Sequence, residues 1–107
     1  MIFRPGKSST QVRPGENFEW RCVIESTARQ RLAVQLRIHF LKSNGTHSVA
    51  VFKIKDADFV KGERLEVIKR QPFRPMTTRT LYPGIHYADI DINGTIIATT
   101  QFNLLES

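Results

Sequence analysis

The sequence predicts an all-β fold, an antiparallel β-sandwich of about seven strands. Several short runs alternate apolar and polar residues, which is the pattern of a strand with one buried face. Turn dipeptides such as Pro14-Gly15 and Asn44-Gly45 separate these runs at regular intervals, and no run has the period of an amphipathic helix. Because the chain has one cysteine, it cannot close an internal disulfide. A small barrel is the alternative architecture.

The first half of the chain contains two clear strands. Residues 17–24 and 32–40 each carry apolar side chains on one parity, which predicts strands that face the core. Residues 27–31 between them are predicted to form a loop. Residues 8–13 are interpreted as a short edge strand, and residues 1–7, which lack periodicity, as a lead-in or linker.

The second half contains the strongest hairpin signal. Its predicted strands are residues 48–55, 63–70, 86–92 and 95–100. Asn93-Gly94 supplies the positive φ angles of a tight turn between the last two of these strands. Residues 56–58 are interpreted as a turn or a helical corner. The inner face of residues 48–55 stays open, because both parities are partly apolar.

Composition limits the organisation to one domain, residues 8–107. A chain of 107 residues with 40% hydrophobic residues can bury one core. No stretch approaches the roughly 18 uninterrupted apolar residues of a membrane helix, and the N-terminus lacks the order of a signal peptide. A lone cysteine is typical of a reducing compartment. We therefore expect a cytoplasmic monomer that does not enter a membrane.

The positive charge is concentrated in the first three quarters of the chain. All sixteen lysines and arginines precede Thr80, where seven acidic residues leave a net charge of +9, while residues 80–107 carry −3. No acidic residue lies between Glu25 and Asp56, and none lies in residues 69–79. Such clustering is typical of a protein that binds a polyanion, nucleic acid first. The alternative is a solvated basic surface without a partner.

The sequence contains no catalytic or metal-binding pattern. The motifs G-x-S-x-G, H-E-x-x-H, G-x-G-x-x-G, G-x-x-x-x-G-K and C-x-x-C are absent, and the three histidines lack metal-ligand spacing. Cys22 lies on an apolar parity and is interpreted as a small buried hydrophobe. Asp89 and Asp91 share one strand face, where we expect them to keep the outer surface wet. The sequence therefore predicts a protein that is not an enzyme and needs neither a cofactor nor a metal.

A corner precedes the hairpin strand. The spacing L-x-P-G-x-x-Y at residues 81–87 is similar to the corner that opens a late strand in fibronectin type III and other immunoglobulin-like domains. In those domains the tyrosine shares the parity of the core residues that follow. Here the following apolar residues share the parity of His86 instead. We therefore predict that His86 faces inward as a buried, hydrogen-bonded residue and that Tyr87 faces outward.

A family resemblance rests on the same region. The segment KRQPFRPMTTR at residues 69–79, followed by Y-P-G-x-H at 82–86 and by Asn93-Gly94, resembles the C-terminal immunoglobulin-like domain of AlkC-type alkylpurine DNA glycosylases and related DNA alkylation repair proteins. In that family helical repeats hold the catalytic centre, and the appended domain helps to grip the damaged duplex. Nothing in this chain resembles those repeats. The resemblance implies a DNA-contacting accessory domain, with duplex DNA and a parent helical-repeat domain as its partners.

Basic side chains are the predicted DNA contacts. The first choices are Lys69, Arg70, Arg74 and Arg79, and the second choices are Arg29 and Arg31. They would neutralise phosphates without reading the base sequence. Pro72 and Pro75 would stiffen the basic loop, and Phe73 is interpreted as its anchor on the core. The rival hypothesis is a protein-interaction or purely structural module whose basic loop meets an acidic partner or the parent domain.

Overall fold

The computed structural model describes residues 1–74 and 80–106, and eight strands in these ranges form two sheets. The strands are β1 (Ile2–Ser8), β2 (Gln11–Val12), β3 (Asn17–Glu25), β4 (Gln30–Leu41), β5 (His47–Phe59), β6 (Arg64–Pro72), β7 (Gly84–Ile92) and β8 (Thr95–Leu104). One sheet has the order β1-β3-β6 and the other the order β2-β8-β7-β4-β5. All pairings are antiparallel except that of β2 with β8. The predicted all-β sandwich is confirmed.

Alternation along the strands places one core between the two sheets. In β3 and β4 every second residue is buried, including Trp20 in the first and Leu36 in the second. Each fully buried aliphatic or phenylalanine side chain stabilises the fold by about 1.5–3 kcal/mol. Within the described ranges, no helix is long and apolar enough to cross a membrane.

The first residues form a strand, and the predicted lead-in over residues 1–7 is wrong in this respect. β1 pairs antiparallel with β3, and the register shifts between Pro5 and Ser8. At Gly6 the two backbones approach so closely that a Cβ atom would lie 2.3 Å from the carbonyl oxygen of Arg21. The Pro-Gly pair therefore interrupts the alternation without ending the strand, because a bulge absorbs the irregularity.

Part of the predicted loop over residues 27–31 and all of the predicted turn or helical corner over residues 56–58 also belong to strands. Arg31 lies in β4 and not in a loop over residues 27–31, and residues 56–58 continue β5 instead of turning. A bulge hides this continuity, because Ile54 is an extra residue between the partners of Val34 and Gln35 on β4. Past the bulge the side-chain parity reverses, and the sequence no longer shows one alternation. Of the predicted edge strand over residues 8–13, Ser8 ends β1 and only Gln11 and Val12 form a strand of their own, β2.

The predicted hairpin is confirmed. Asn93 has a φ of 52° and Gly94 a φ of 86°, and a two-residue turn between twisted strands needs positive φ at both positions. The Asn93 side chain also ties the turn to β4. Its Oδ1 accepts a hydrogen bond from the backbone N–H of Ala33, and its Nδ2 donates to the carbonyl of Arg31.

Polar side chains link the two sheets at both open sides of the sandwich. On one side the hydroxyls of Ser8 in β1 and Thr100 in β8 are hydrogen-bonded at 3.0 Å. On the other side the Nζ of Lys69 in β6 lies 3.7 Å from the ring centre of Phe52 in β5. These contacts connect the edge strands of one sheet to strands of the other.

Candidate nucleic-acid interface

Lys69, a predicted DNA contact, faces the interior side of β6. It shares the parity of Leu65 and Val67, and Val67 is buried. Burial lowers the pKa of its ammonium group, and the ring face of Phe52 supplies an electrostatic partner. The structure therefore gives Lys69 a role in holding the two sheets together.

Arg70 lies on the opposite face of β6 and shares the carboxylate of Glu19 with Arg21. Its Nε is 3.0 Å from one carboxylate oxygen of Glu19, and the Nε of Arg21 is 2.7 Å from the other. Hydrogen bonds from Arg21 and then Arg70 hold the pKa of Glu19 below its usual value. Lys69 and Arg70 are thus strand residues with opposite directions, and they are not parts of one basic loop as the sequence suggested.

Arg29 and Arg31 lie at the other end of the sandwich from the β6–β7 connection. Arg29 is exposed in the β3–β4 loop and has no ion pair within residues 1–74 and 80–106. Arg31 binds Asp56 with its Nε at 2.9 Å, and that carboxylate raises the pKa of Arg31. Arg31 and Leu41, at the far end of β4, are separated by about 33 Å at roughly 3.3 Å per residue. The predicted DNA contacts therefore do not converge on one site.

Two loops and the residues that flank the β6–β7 connection meet at one end of the sandwich, which we call the β6–β7 end. It comprises residues 13–16, 42–46, 73–74 and 80–83. Phe73 is fully buried, and its backbone N–H and carbonyl pair with the carbonyl of Glu16 and the N–H of Gly15. The interpretation of Phe73 as the anchor of its loop is confirmed. Arg74 follows it and is exposed, whereas Arg79 lies outside the described residues.

The β6–β7 end also brings in basic residues that the sequence analysis did not select. Arg13 and Lys42 are exposed there together with Arg74, and none of the three forms an ion pair within the described ranges. Glu16 and Glu106 are the acidic residues of the same region. Arg13 and Lys42 each adjoin a predicted turn, at Pro14-Gly15 and before Asn44-Gly45. Two strands, β3 and β4, lie between these turns, and because they run in opposite directions they return the chain to the same end of the sandwich. This feature of the sequence could have placed Arg13 and Lys42 together.

A neutral aromatic cluster packs inside the sandwich next to the β6–β7 end. Its members are Phe18, Phe40, Phe73, Phe102 and His86. The Nδ1 atom of His86 accepts a hydrogen bond of 3.2 Å from the backbone N–H of Leu41, so its Nε2 carries the proton and donates to the carbonyl of Tyr82 at 2.9 Å. Burial lowers the pKa of His86. The inward orientation predicted for His86 is confirmed, and Tyr87 lies half-buried on the other face.

Asp89 and Asp91 do not keep the outer face of β7 wet, because both are buried. The two side chains are 9% and 4% exposed. Asp89 contacts the Nε2 of His39 at 2.6 Å and accepts a hydrogen bond from Thr99 at 2.7 Å. Asp91 accepts from Arg37 at 2.6 Å and from the N–H of Gly94 at 2.9 Å. The aspartates therefore pair with β4, which the sequence alone could not place beside β7.

The described residues contain no arrangement for metal binding. In residues 1–74 and 80–106, no group of three or more His, Cys, Asp or Glu residues could hold a metal ion. Cys22 is buried, and burial raises the pKa of its thiol to about 11. Since the thiolate is the reactive form, this cysteine is an inert part of the core, as the sequence indicated.

These features define an immunoglobulin-like β-sandwich whose strand arginines are paired with carboxylates and whose β6–β7 end carries three cations without an ion pair in residues 1–74 and 80–106. A family model described as "Uncharacterised protein YhaZ, C-terminal Ig-like domain" matches residues 4–106, and the chain belongs to this family. Over 90 residues the chain is 32% identical to the uncharacterized protein YhaZ of Bacillus subtilis (strain 168). That alignment covers 84% of this chain and 25% of YhaZ, so the chain spans about a quarter of its curated relative.

Solved structures give the same fold. The alkylpurine DNA glycosylase AlkC of Pseudomonas fluorescens, bound to DNA containing an abasic site analog, matches with a TM-score of 0.86 and 29% identity. The match covers 97% of this chain and 30% of the glycosylase chain. A β-glucosidase of Listeria innocua in complex with gluconolactone matches with a TM-score of 0.75 at 10% identity, over 98% of this chain and 16% of its own. The second likeness shows the fold alone, whereas the first confirms the resemblance seen in the sequence.

Proposed function

We propose that this chain is a non-catalytic accessory domain that contacts the backbone of duplex DNA within a DNA alkylation repair protein. The observation that carries the proposal is the likeness to the AlkC chain, which was solved on DNA and matches 97% of this domain at 29% identity. A parent helical-repeat domain would supply the catalytic centre. A DNA partner also implies a cytoplasmic location.

We assign the phosphate contacts to the β6–β7 end, although Arg29 at the opposite end and Lys53 on β5 are also exposed and without an ion pair in residues 1–74 and 80–106. Arg13, Lys42 and Arg74 are exposed there, and each lacks an ion pair within the described ranges, so DNA would not first have to displace a carboxylate. A cation that is already paired gains less from a phosphate, because the existing attraction is lost. Arg79 extends the same basic segment in sequence and stays a predicted contact.

A rigid support would increase the affinity of such a surface. The loop around Phe73 is held by two backbone hydrogen bonds, and His86 ties Leu41 to Tyr82 on the two flanking segments. Because these groups are already ordered, contact with DNA would immobilise little additional chain. The contacts would be sequence-independent, since phosphate binding carries no base readout.

The proposal changes the ranking of the predicted contacts. Arg74 and Arg79 stay first, and Arg13 and Lys42 join them. Lys69 and Arg70 move down, because Phe52 and Glu19 already engage them. The second choices Arg29 and Arg31 lie at the opposite end, where they would need a separate stretch of duplex.

Fluorescence anisotropy with a labelled duplex tests the proposal. The chain should bind at low salt and lose affinity steeply as salt rises, with a slope near 0.9 per phosphate contact in a plot of log K against log salt. Arg74→Ala and Arg79→Ala should each weaken binding and reduce this slope by about 1. Arg64→Ala removes the same charge from a residue paired with Glu25 at 2.8 Å and serves as the matched control.

Absence of binding even at low salt would reject DNA contact for this domain. Equal losses in Arg74→Ala and Arg64→Ala would show non-specific charge attraction and would remove the β6–β7 end from the proposal. Circular dichroism of each variant verifies that the fold is intact.

Exposed apolar residues favour a protein-interaction module as the second candidate function. On the outer face of the five-stranded sheet, Val49 and Val51 are 50% and 55% exposed, and Ile96 is 51% exposed. A surface of this kind suits a protein partner better than a phosphate backbone. This candidate predicts no salt-dependent DNA binding, so the same titration separates the two.

A further inference from the structure

The β5 strand is a free sheet edge whose sequence is complementary to itself. Among residues 1–74 and 80–106 it is the last strand of the five-stranded sheet and pairs only with β4. Residues 51–60 read VFKIKDADFV, with two lysines before two aspartates and Phe and Val at both ends. In an antiparallel alignment of this segment with itself, Val51 lies opposite Val60, Phe52 lies opposite Phe59, and Lys53 and Lys55 lie opposite Asp58 and Asp56.

An antiparallel pair of two such strands would align these residues. With the two-fold axis between Lys55 and Asp56, Lys53 of one copy lies opposite Asp58 of the second copy, and the symmetry creates this contact twice. Each copy would contribute one lysine and one aspartate to these two contacts. The register is therefore specified by charge as well as by backbone hydrogen bonding.

The bulge at Ile54 places the side chains of Lys53 and Asp58 on the same face of the sheet. Without an extra residue, positions 53 and 58 would face opposite sides of the sheet. In the structure Lys53 lies opposite Gln35, and Asp58 lies opposite Arg31. Since Gln35 and Arg31 share one face of β4, Lys53 and Asp58 also share one face.

The partners on this edge are available for a second copy. Neither Lys53 nor Asp58 forms an ion pair within residues 1–74 and 80–106, although Asp58 lies opposite Arg31 and its charge contributes to the raised pKa of Arg31. Two residues further along this register, Val51 of β5 would lie opposite Val60, which directly follows β5 and whose N–H donates to Glu63. These two valines are 55% and 57% exposed. Lysines and a bulge usually discourage pairing at a sheet edge by repulsion and distortion. In this one register each lysine of one copy would instead lie opposite an aspartate of the second copy, so the opposite charges attract.

We propose that β5 pairs with β5 of a second copy of this chain in an antiparallel, two-fold symmetric arrangement that joins the two five-stranded sheets. Lys53 and Asp58 set the register, and Val51 and Val60 bury apolar surface beside them. This symmetric dimer replaces the monomer expected from the sequence. It is independent of DNA binding, because the β6–β7 end takes no part in it.

Sedimentation velocity of the chain without DNA, from micromolar to millimolar concentration, tests the dimer. The chain should shift from monomer to dimer as its concentration rises. Lys53→Asp and Asp58→Lys should each weaken the dimer on the order of tenfold, because each places like charges opposite one another twice. The double variant Lys53→Asp/Asp58→Lys restores opposite charges and should recover the original dissociation constant.

Lys7→Asp on β1 is the matched control, since it makes the same change in net charge away from the β5 edge. A chain that stays monomeric at all concentrations would overturn the proposal. So would a double variant as weak as the single variants, or a Lys7→Asp effect equal to that of Lys53→Asp. Circular dichroism verifies that each variant is folded.

Discussion

The β6–β7 end and the outer faces of the two sheets are both rich in basic residues, but their charges are held in different ways. On the sheet faces the arginines find carboxylates on neighbouring strands, as Arg70 finds Glu19 and Arg37 finds Asp91. At the β6–β7 end, Arg74 is exposed above a neutral cluster around His86. If the proposed DNA contact is correct, pairing, more than the number of basic residues, decides which cations contact the phosphates.

The largest expected effect concerns the support of the β6–β7 end. His86→Ala removes a fully buried ring, leaves a cavity and deprives the Leu41 N–H and the Tyr82 carbonyl of their partners. We expect the free energy of unfolding to fall by about 3 kcal/mol, measured by urea denaturation. His47→Ala, at a half-buried histidine, should cost much less. Equal losses would contradict the role assigned to His86.

The next effect concerns a buried pair on the five-stranded sheet. Asp91→Ala removes the acceptor for Arg37 and Gly94 and should lower the free energy of unfolding by about 2 kcal/mol. Asp56→Ala breaks the exposed pair with Arg31 and should cost less than about 0.5 kcal/mol. Urea denaturation of both variants checks the contrast, and a larger loss for Asp56→Ala would invert it.

A smaller effect should appear in the pH dependence of stability. In the folded state, burial lowers the pKa of His86 below its usual value of 6.5, so on acidification the unfolded chain binds a proton before the folded chain does. Above pH 6.5, His86 is neutral in both states, and its titration should not change the free energy of unfolding. Below pH 6.5, the free energy of unfolding should fall as the pH drops toward the folded-state pKa of His86. The difference between the native chain and His86→Phe, measured by urea denaturation across this range, isolates the contribution. A native chain that gains stability over His86→Phe on acidification would have the opposite sign.

Local sequence signals predicted the elements in which turn and strand agree. Asn93-Gly94 fixes its turn by backbone conformation, and the regular alternation of β7 fixes His86 inward, so these two features could be interpreted without knowledge of other strands. The burial of Asp89 and Asp91 could not, because their partners lie on β4. β1 and β5 were missed in part, because a bulge in each reverses the parity on which the interpretation depends.

The candidate site was less predictable, because ion pairing depends on strand order. Arg70 and Glu19 are 51 residues apart in sequence and meet only when β6 lies beside β3. Lys69 faces Phe52 because both lie on edge strands of different sheets. Composition identified the basic segment, but it could not show which of its cations have partners in the folded protein, as Lys69 and Arg70 do.

A comparison of two triple variants tests the central claim most directly. Arg13→Ala/Lys42→Ala/Arg74→Ala removes unpaired cations from the β6–β7 end, and Arg21→Ala/Arg64→Ala/Arg70→Ala removes the same charge from paired residues of the three-stranded sheet. Duplex binding measured by anisotropy against salt should lose about 3 units of slope in the first variant and little in the second. Equal slopes, or a greater loss in the second variant, would contradict the account.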